Sequence, residues 1–108
     1  MVVSEALAAL EQWEGRETVT LPEVARVIGM PRPAREFATR TGAIRPVSGG
    51  GRGRAYQLTR DEVVFILGAA VFAAAAGIGI TVALRALRET GAQVSTSGIT
   101  IPFGGIAA

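Results

Sequence analysis

Between positions 26 and 60 the chain carries eight arginines, Arg26, Arg32, Arg35, Arg40, Arg45, Arg52, Arg54 and Arg60, against one acid, Glu36. This surplus is local. The first 25 residues hold one arginine and five glutamates, residues 61–108 hold two arginines and three acids, and the whole chain is only +2 at pH 7. None of the basic residues is lysine. A guanidinium is charged at every physiological pH and presents a planar fork of donors that fits a phosphate or the edge of guanine. Concentrating that charge in one stretch predicts a face that binds a polyanion, with duplex DNA as the partner.

Other chemistries are poorly supplied. There is no cysteine and no histidine, so the thiol nucleophile, the thiolate metal site, the commonest metal ligand and the commonest general base are all missing. The glycine-rich run Gly49-Gly50-Gly51-Arg52-Gly53-Arg54 lacks the Lys-Ser/Thr ending of a phosphate cradle and precedes a short strand where a helix would be needed. Asp61 and Glu62 are adjacent, about 100° apart around a helix, and read as first-turn acids of a helix capped near Thr59. The expectation is a binding protein, not an enzyme, without metal or cofactor.

The elements that must position the arginines are legible from caps and breakers. Ser4 opens a first helix through about Glu14, with Leu7, Leu10 and Trp13 on one side, and Gly15 ends it. Thr20-Leu21-Pro22-Glu23 has capping-box spacing and a proline in the first turn, so a second helix runs from about Leu21 to Ile28 and stops at Gly29. Pro31 and Pro33 open a third through about Thr41. Residues 44–47 read as a short strand, 48–54 as a flexible loop, and 55–58 as the returning strand.

This order of elements, and the residues Leu21-Pro22-Glu23-Val24-Ala25-Arg26-Val27-Ile28-Gly29, resemble the first part of a MerR-type winged helix-turn-helix. Gly42 follows Gly29 by thirteen residues and Pro46 follows by four more, matching the spacing of that family to its "G-L-L-x-P" exit. Gly77-Ile78-Gly79-Ile80-Thr81-Val82-Ala83-Leu84 is similar to its "G-F-S-L-x-E-I" turn. The resemblance covers roughly residues 19–88 and extends about equally to excisionase-type relatives. It implies a mainly α fold with short β hairpins, a recognition helix in the major groove and a wing beside it. Val24, Ala25 and Ile28 would face the core, as would Phe37 at the family's aromatic position. Where the family places Thr-Leu-Arg, this chain has Ala34-Arg35-Glu36. After Arg88 nothing resembles the family's long dimerisation helix or effector domain, which implies action by occupancy: a transcriptional regulator, or a phage-type repressor or excision factor.

The arginines then take expected places. Arg32, Arg35 and Arg40 lie on the recognition helix, where Arg32 and Arg35 share a face. They would read guanine edges or grip phosphate, the competing reading being an ordinary solvated face. Arg52 and Arg54 project from the loop and suit a minor groove, unless the loop is only a linker. Arg26 and Arg45 serve equally as phosphate contacts or as surface ion pairs. Tyr56 packs at the wing base with its hydroxyl free for a phosphate.

The uncharged run at 63–84 is long enough to span a membrane. A single-pass protein with an Arg-rich cytoplasmic head is therefore the alternative reading. Against it stand the Gly77-Ile78-Gly79 break and six alanines within residues 69–76. Without a recognisable secretory signal the expected location is cytoplasmic. A helix apolar on all sides must be covered, which predicts a homodimer or higher oligomer through 63–84 and through a β-hairpin at 92–103. The expected division is an accessory helix at 1–18, a DNA-binding domain at 19–90 and an oligomerisation tail at 91–108. The competing reading of that hairpin is a frayed tail, since residues 104–108 have little to fix them.

Overall fold

The capping box at Thr20 forms. The Thr20 backbone N–H and hydroxyl donate to the Glu23 carboxylate at 2.8 and 2.9 Å, and the Glu23 N–H donates back to Thr20 Oγ1 at 3.3 Å. Arg16 adds two parallel bonds of 3.0 Å to the same carboxylate. Those bonds, followed by the Thr20 backbone, hold the Glu23 carboxyl down at about 2.

The computed structural model describes residues 1–102; Phe103 of the expected hairpin and the end from Gly104 lie outside them. Among the described residues there are five helices and four short strands: α1 (Val3–Gln12), β1 (Thr18–Thr20), α2 (Leu21–Ile28), α3 (Arg32–Arg40), β2 (Gln57–Thr59), α4 (Arg60–Ala76), α5 (Ile80–Glu89), β3 (Gln93–Ser95) and β4 (Gly98–Thr100). The fold is mainly helical, as expected, with two small antiparallel ribbons.

Helix α4 is the axis of the core. Thr59 caps it by accepting from the Glu62 N–H at 3.3 Å, and Gly77 ends it with a left-handed φ of 68°. Its Val63, Phe65, Ile66, Leu67 and Ala69 are buried together with Ala6, Leu10 and Trp13 of the N-terminal segment, Val24 of α2 and Leu84 of α5. A helix without a polar stripe is thus covered largely within one chain, by α1, α2, α5 and the β3–β4 hairpin. The accessory helix and the tail share this core with the rest. The chain turns by 114° between α4 and α5, and no single described helix is long and apolar enough to cross a membrane. The run at 63–84 is therefore two helices and not one continuous span.

Several expectations need correction. Helix α1 begins at Val3, because the Val2 N–H donates to Glu5 Oε1 at 2.9 Å; Ser4 lies inside it and caps nothing. Leu7 is exposed, and Ala6, Ala9 and Leu10 face inward in its place. Residues 44–47 are not a strand. Their N–H groups are committed elsewhere: Ile44 donates to the Ala38 carbonyl at 3.1 Å and Arg45 to Glu62 Oε2 at 2.8 Å, while Pro46 has none to give. Only Val47, donating to Gln57 at 2.8 Å, and a bridge between Ser48 and Gln57 tie this arm to β2. The true partner of β2 is β1, in the register Thr18 with Thr59, Val19 with Leu58 and Thr20 with Gln57.

Candidate nucleic-acid interface

Three residues, Gly29, Met30 and Pro31, separate α2 from α3, and Pro33 sits in the first turn of α3. Ala38 is fully buried and fixes which side of α3 faces the core. At 100° per residue, Arg32, Glu36 and Arg40 then fall on the outward edge, while Arg35 and Thr39 turn to one flank. All five are exposed or half-buried.

That flank faces the loop at 48–55. The loop folds back as a closed turn: the Gly50 N–H donates to the Arg54 carbonyl at 3.1 Å, and the Arg54 N–H donates to the Gly51 carbonyl at 3.0 Å. Gly50 has a φ of 88°, and a Cβ there would collide with the Tyr56 ring. The glycine therefore allows both the left-handed turn and the close seat of the ring. Tyr56 is half-buried against the core, and its carbonyl accepts from the Leu21 N–H at 2.9 Å, so the loop is tied to the start of α2.

Between α3 and this loop lies a cleft of about 420 Å³, lined by Arg32, Arg35, Thr39, Arg54 and Tyr56 among others. Four of the eight candidate residues are thereby brought together. One acid enters the same cleft, Glu36, and it pairs with Arg32 at 2.9 Å across an exposed helix turn. Such exposed pairs are weak. Arg35 and Arg54 have no acidic partner within bonding distance among the described residues. Of the three arginines in this cleft they are the two not already paired.

The other candidates are placed differently. Arg52 is exposed near the tip of the loop, outside the cleft. Arg40 is exposed, with its guanidinium 5.6 Å from the centre of the Phe37 ring. Phe37 is itself exposed, so its expected place in the core is not the one it takes. Arg26 is exposed at the end of α2 and lines neither this cleft nor the next. Arg45 belongs to a second cleft on the other flank of α3, with its Nε donating to the Gly42 carbonyl at 3.1 Å.

Two partners of this region escaped the sequence reading. Glu62 is 8% exposed, and its Oε2 accepts both the Arg45 N–H and the Arg88 guanidinium. Arg88 also donates from Nε to the Ala43 carbonyl at 3.1 Å and lies 3.7 Å from the centre of the Phe65 ring. Together they clamp the exit of α3 to α4 and α5. The one available signal was the arginine pair at Arg85 and Arg88, three apart on an amphipathic helix.

Among the described residues, no cluster of three or more acidic side chains could hold a metal ion. Comparison with known proteins gives no match to a family model, to a curated sequence or to a solved structure.

Proposed function

We propose that this chain is a sequence-specific duplex-DNA-binding protein of winged helix-turn-helix type, resembling the MerR and excisionase proteins and acting by occupancy as a regulator, repressor or excision factor. The observation that carries this reading is the cleft that sets Arg32 and Arg35 of α3 against Arg54 of a glycine-shaped loop. A helix presented beside a cationic loop suits a major groove, with phosphate contacts fixing the register and the helix edge meeting the bases. Arg35 and Arg54, in the cleft, grip phosphate; Arg32 and Arg40, on the outward edge, approach base edges. The DNA reading is preferred to the membrane-span alternative because no single described helix is long and apolar enough to cross a membrane and the chain turns by 114° between α4 and α5.

Dimerisation is part of the proposal, because paired half-sites are the usual way for so small a reader to gain affinity. With most of α4 covered within the chain, the surface assigned to it is the apolar groove of about 320 Å³ between α1, α4 and the β3–β4 hairpin. Val3, Leu7 and Ile99 line that groove and are exposed.

Fluorescence anisotropy of labelled duplexes at several salt concentrations tests the DNA reading. Wild type is expected to bind with affinity that falls steeply with salt, and Arg35→Ala and Arg54→Ala are each expected to lower the logarithmic salt slope by about one. Salt-independent binding, or equal binding by a double Arg35→Ala, Arg54→Ala variant, would rule it out.

A further inference from the structure

The second cleft, of about 370 Å³, joins Phe37 and Thr41 of the α3 end to Arg45 of the following turn and to Arg85, Arg88 and Glu89 of α5. Counting 100° per residue, Phe37 and Thr41 point roughly 170° away from the mean direction of Arg32, Arg35, Glu36 and Thr39. The two clefts therefore lie on opposite flanks of α3, with Pro33 and Arg40 on the edge between them. Helix α3 stands as a ridge with arginines in a trough on either side.

The cations of this second trough are not equally available. Arg88 is committed to Glu62, to the Ala43 carbonyl and to the Phe65 ring. Glu62 is in turn occupied by Arg88 and by the Arg45 amide. The Arg45 side chain is exposed and, among the described residues, hydrogen-bonds only the Gly42 carbonyl, through its Nε. The acidic partner of Arg85 is Glu89, 3.9 Å away, with both side chains more than half exposed. A pair that loose and wet yields readily to a stronger anion. Arg45 and Arg85 are thus free to meet one.

A helix with its side chains is about 10–12 Å across and fills a major groove of about 12 Å. Its two flanks then face the phosphates of the two different strands. We infer that Arg45 and Arg85 contact phosphates of the strand opposite the one held by Arg35 and Arg54, so that α5 forms part of the DNA interface and α3 is straddled by the duplex walls. The inference rests on the DNA-binding reading and adds to it a residue, Arg85, that lies outside the arginine-rich stretch.

The test uses the full chain and the same duplex titration. Arg85→Ala is expected to weaken binding about fivefold at low salt and to lower the salt slope by about one, with Arg85→Lys restoring most of both. A duplex carrying methylphosphonates on one strand is expected to abolish the effect of Arg85→Ala while preserving that of Arg35→Ala; neutralising the other strand reverses the pattern. Thermal melting checks that the variants stay folded, as expected for an exposed position. If Arg35→Ala lowers the slope and Arg85→Ala does not, or if one strand abolishes both effects, the straddling arrangement is wrong while the DNA reading stands. If wild type shows no salt-dependent binding, both fall together.

Discussion

Arg88 and Arg85 are three residues apart on one helix, yet they do different work. Arg88 neutralises a carboxylate that is almost wholly buried and braces the exit of α3; Arg85 is exposed at a cleft rim. Deleting one partner of a buried pair leaves the other uncompensated, which costs far more than the pair contributes over an apolar substitute. Arg88→Ala is expected to lower the unfolding free energy by about 3 kcal/mol, measured by urea denaturation. Arg85→Ala is expected to change it by no more than about 0.5 kcal/mol; similar losses in the two variants would refute the division of labour. At this scale the sequence revealed residue types better than partners. Glu62 was legible as a first-turn acid of α4, but its contact with Arg88 depends on how α4 and α5 cross, which no local spacing encodes. The same holds for Phe37, whose exposure follows from Ala38, and not Phe37, facing the core.

Elements with their own chemical punctuation were legible. The Thr20 and Glu23 box, the left-handed Gly29 and Gly77 caps and the Thr59 cap all set helix ends where the residues indicated. The break between α4 and α5 and the β3–β4 hairpin were equally visible. The strand expected at 44–47 does not form, because Glu62 and Ala38 take the N–H groups a ladder would need, which the local residues do not reveal. Strand β1 was equally illegible, its Thr-Val-Thr pattern being strand-like but only three residues long. The loop glycines separate two kinds of position. Gly50→Ala would strain a left-handed φ and drive a Cβ into the Tyr56 ring, whereas a Cβ at Gly51 meets open space. Gly50→Ala is therefore expected to cost about 2 kcal/mol and to weaken duplex binding through the displaced Arg54, with Gly51→Ala close to wild type in denaturation and anisotropy. Equal behaviour of the two would mean that the loop is not held by Tyr56.

The whole molecule has two unlike sides. The arginine-rich one was visible as charge surplus along the chain, though its division into two clefts across α3 required the fold. The apolar one was expected over 63–84 and the 92–103 hairpin, and the assembled core shows which residues of α4 remain half covered: Val64, Val71 and Phe72, beside the exposed Leu7 and Ile99. If a second copy covers this groove, light scattering finds a dimer for wild type and a monomer for Leu7→Asp. A monomeric wild type, or a Leu7→Asp dimer, would remove the groove from the assembly. The arginine-rich side is the one expected to meet the duplex. Amide chemical-shift mapping of the labelled chain against a duplex decides whether it does. Perturbations are expected to gather on α3, the loop at 48–55 and Arg85 and to fade as salt is raised, with β3 and β4 unmoved. Perturbations confined to the apolar groove, or none at low salt, would contradict that expectation.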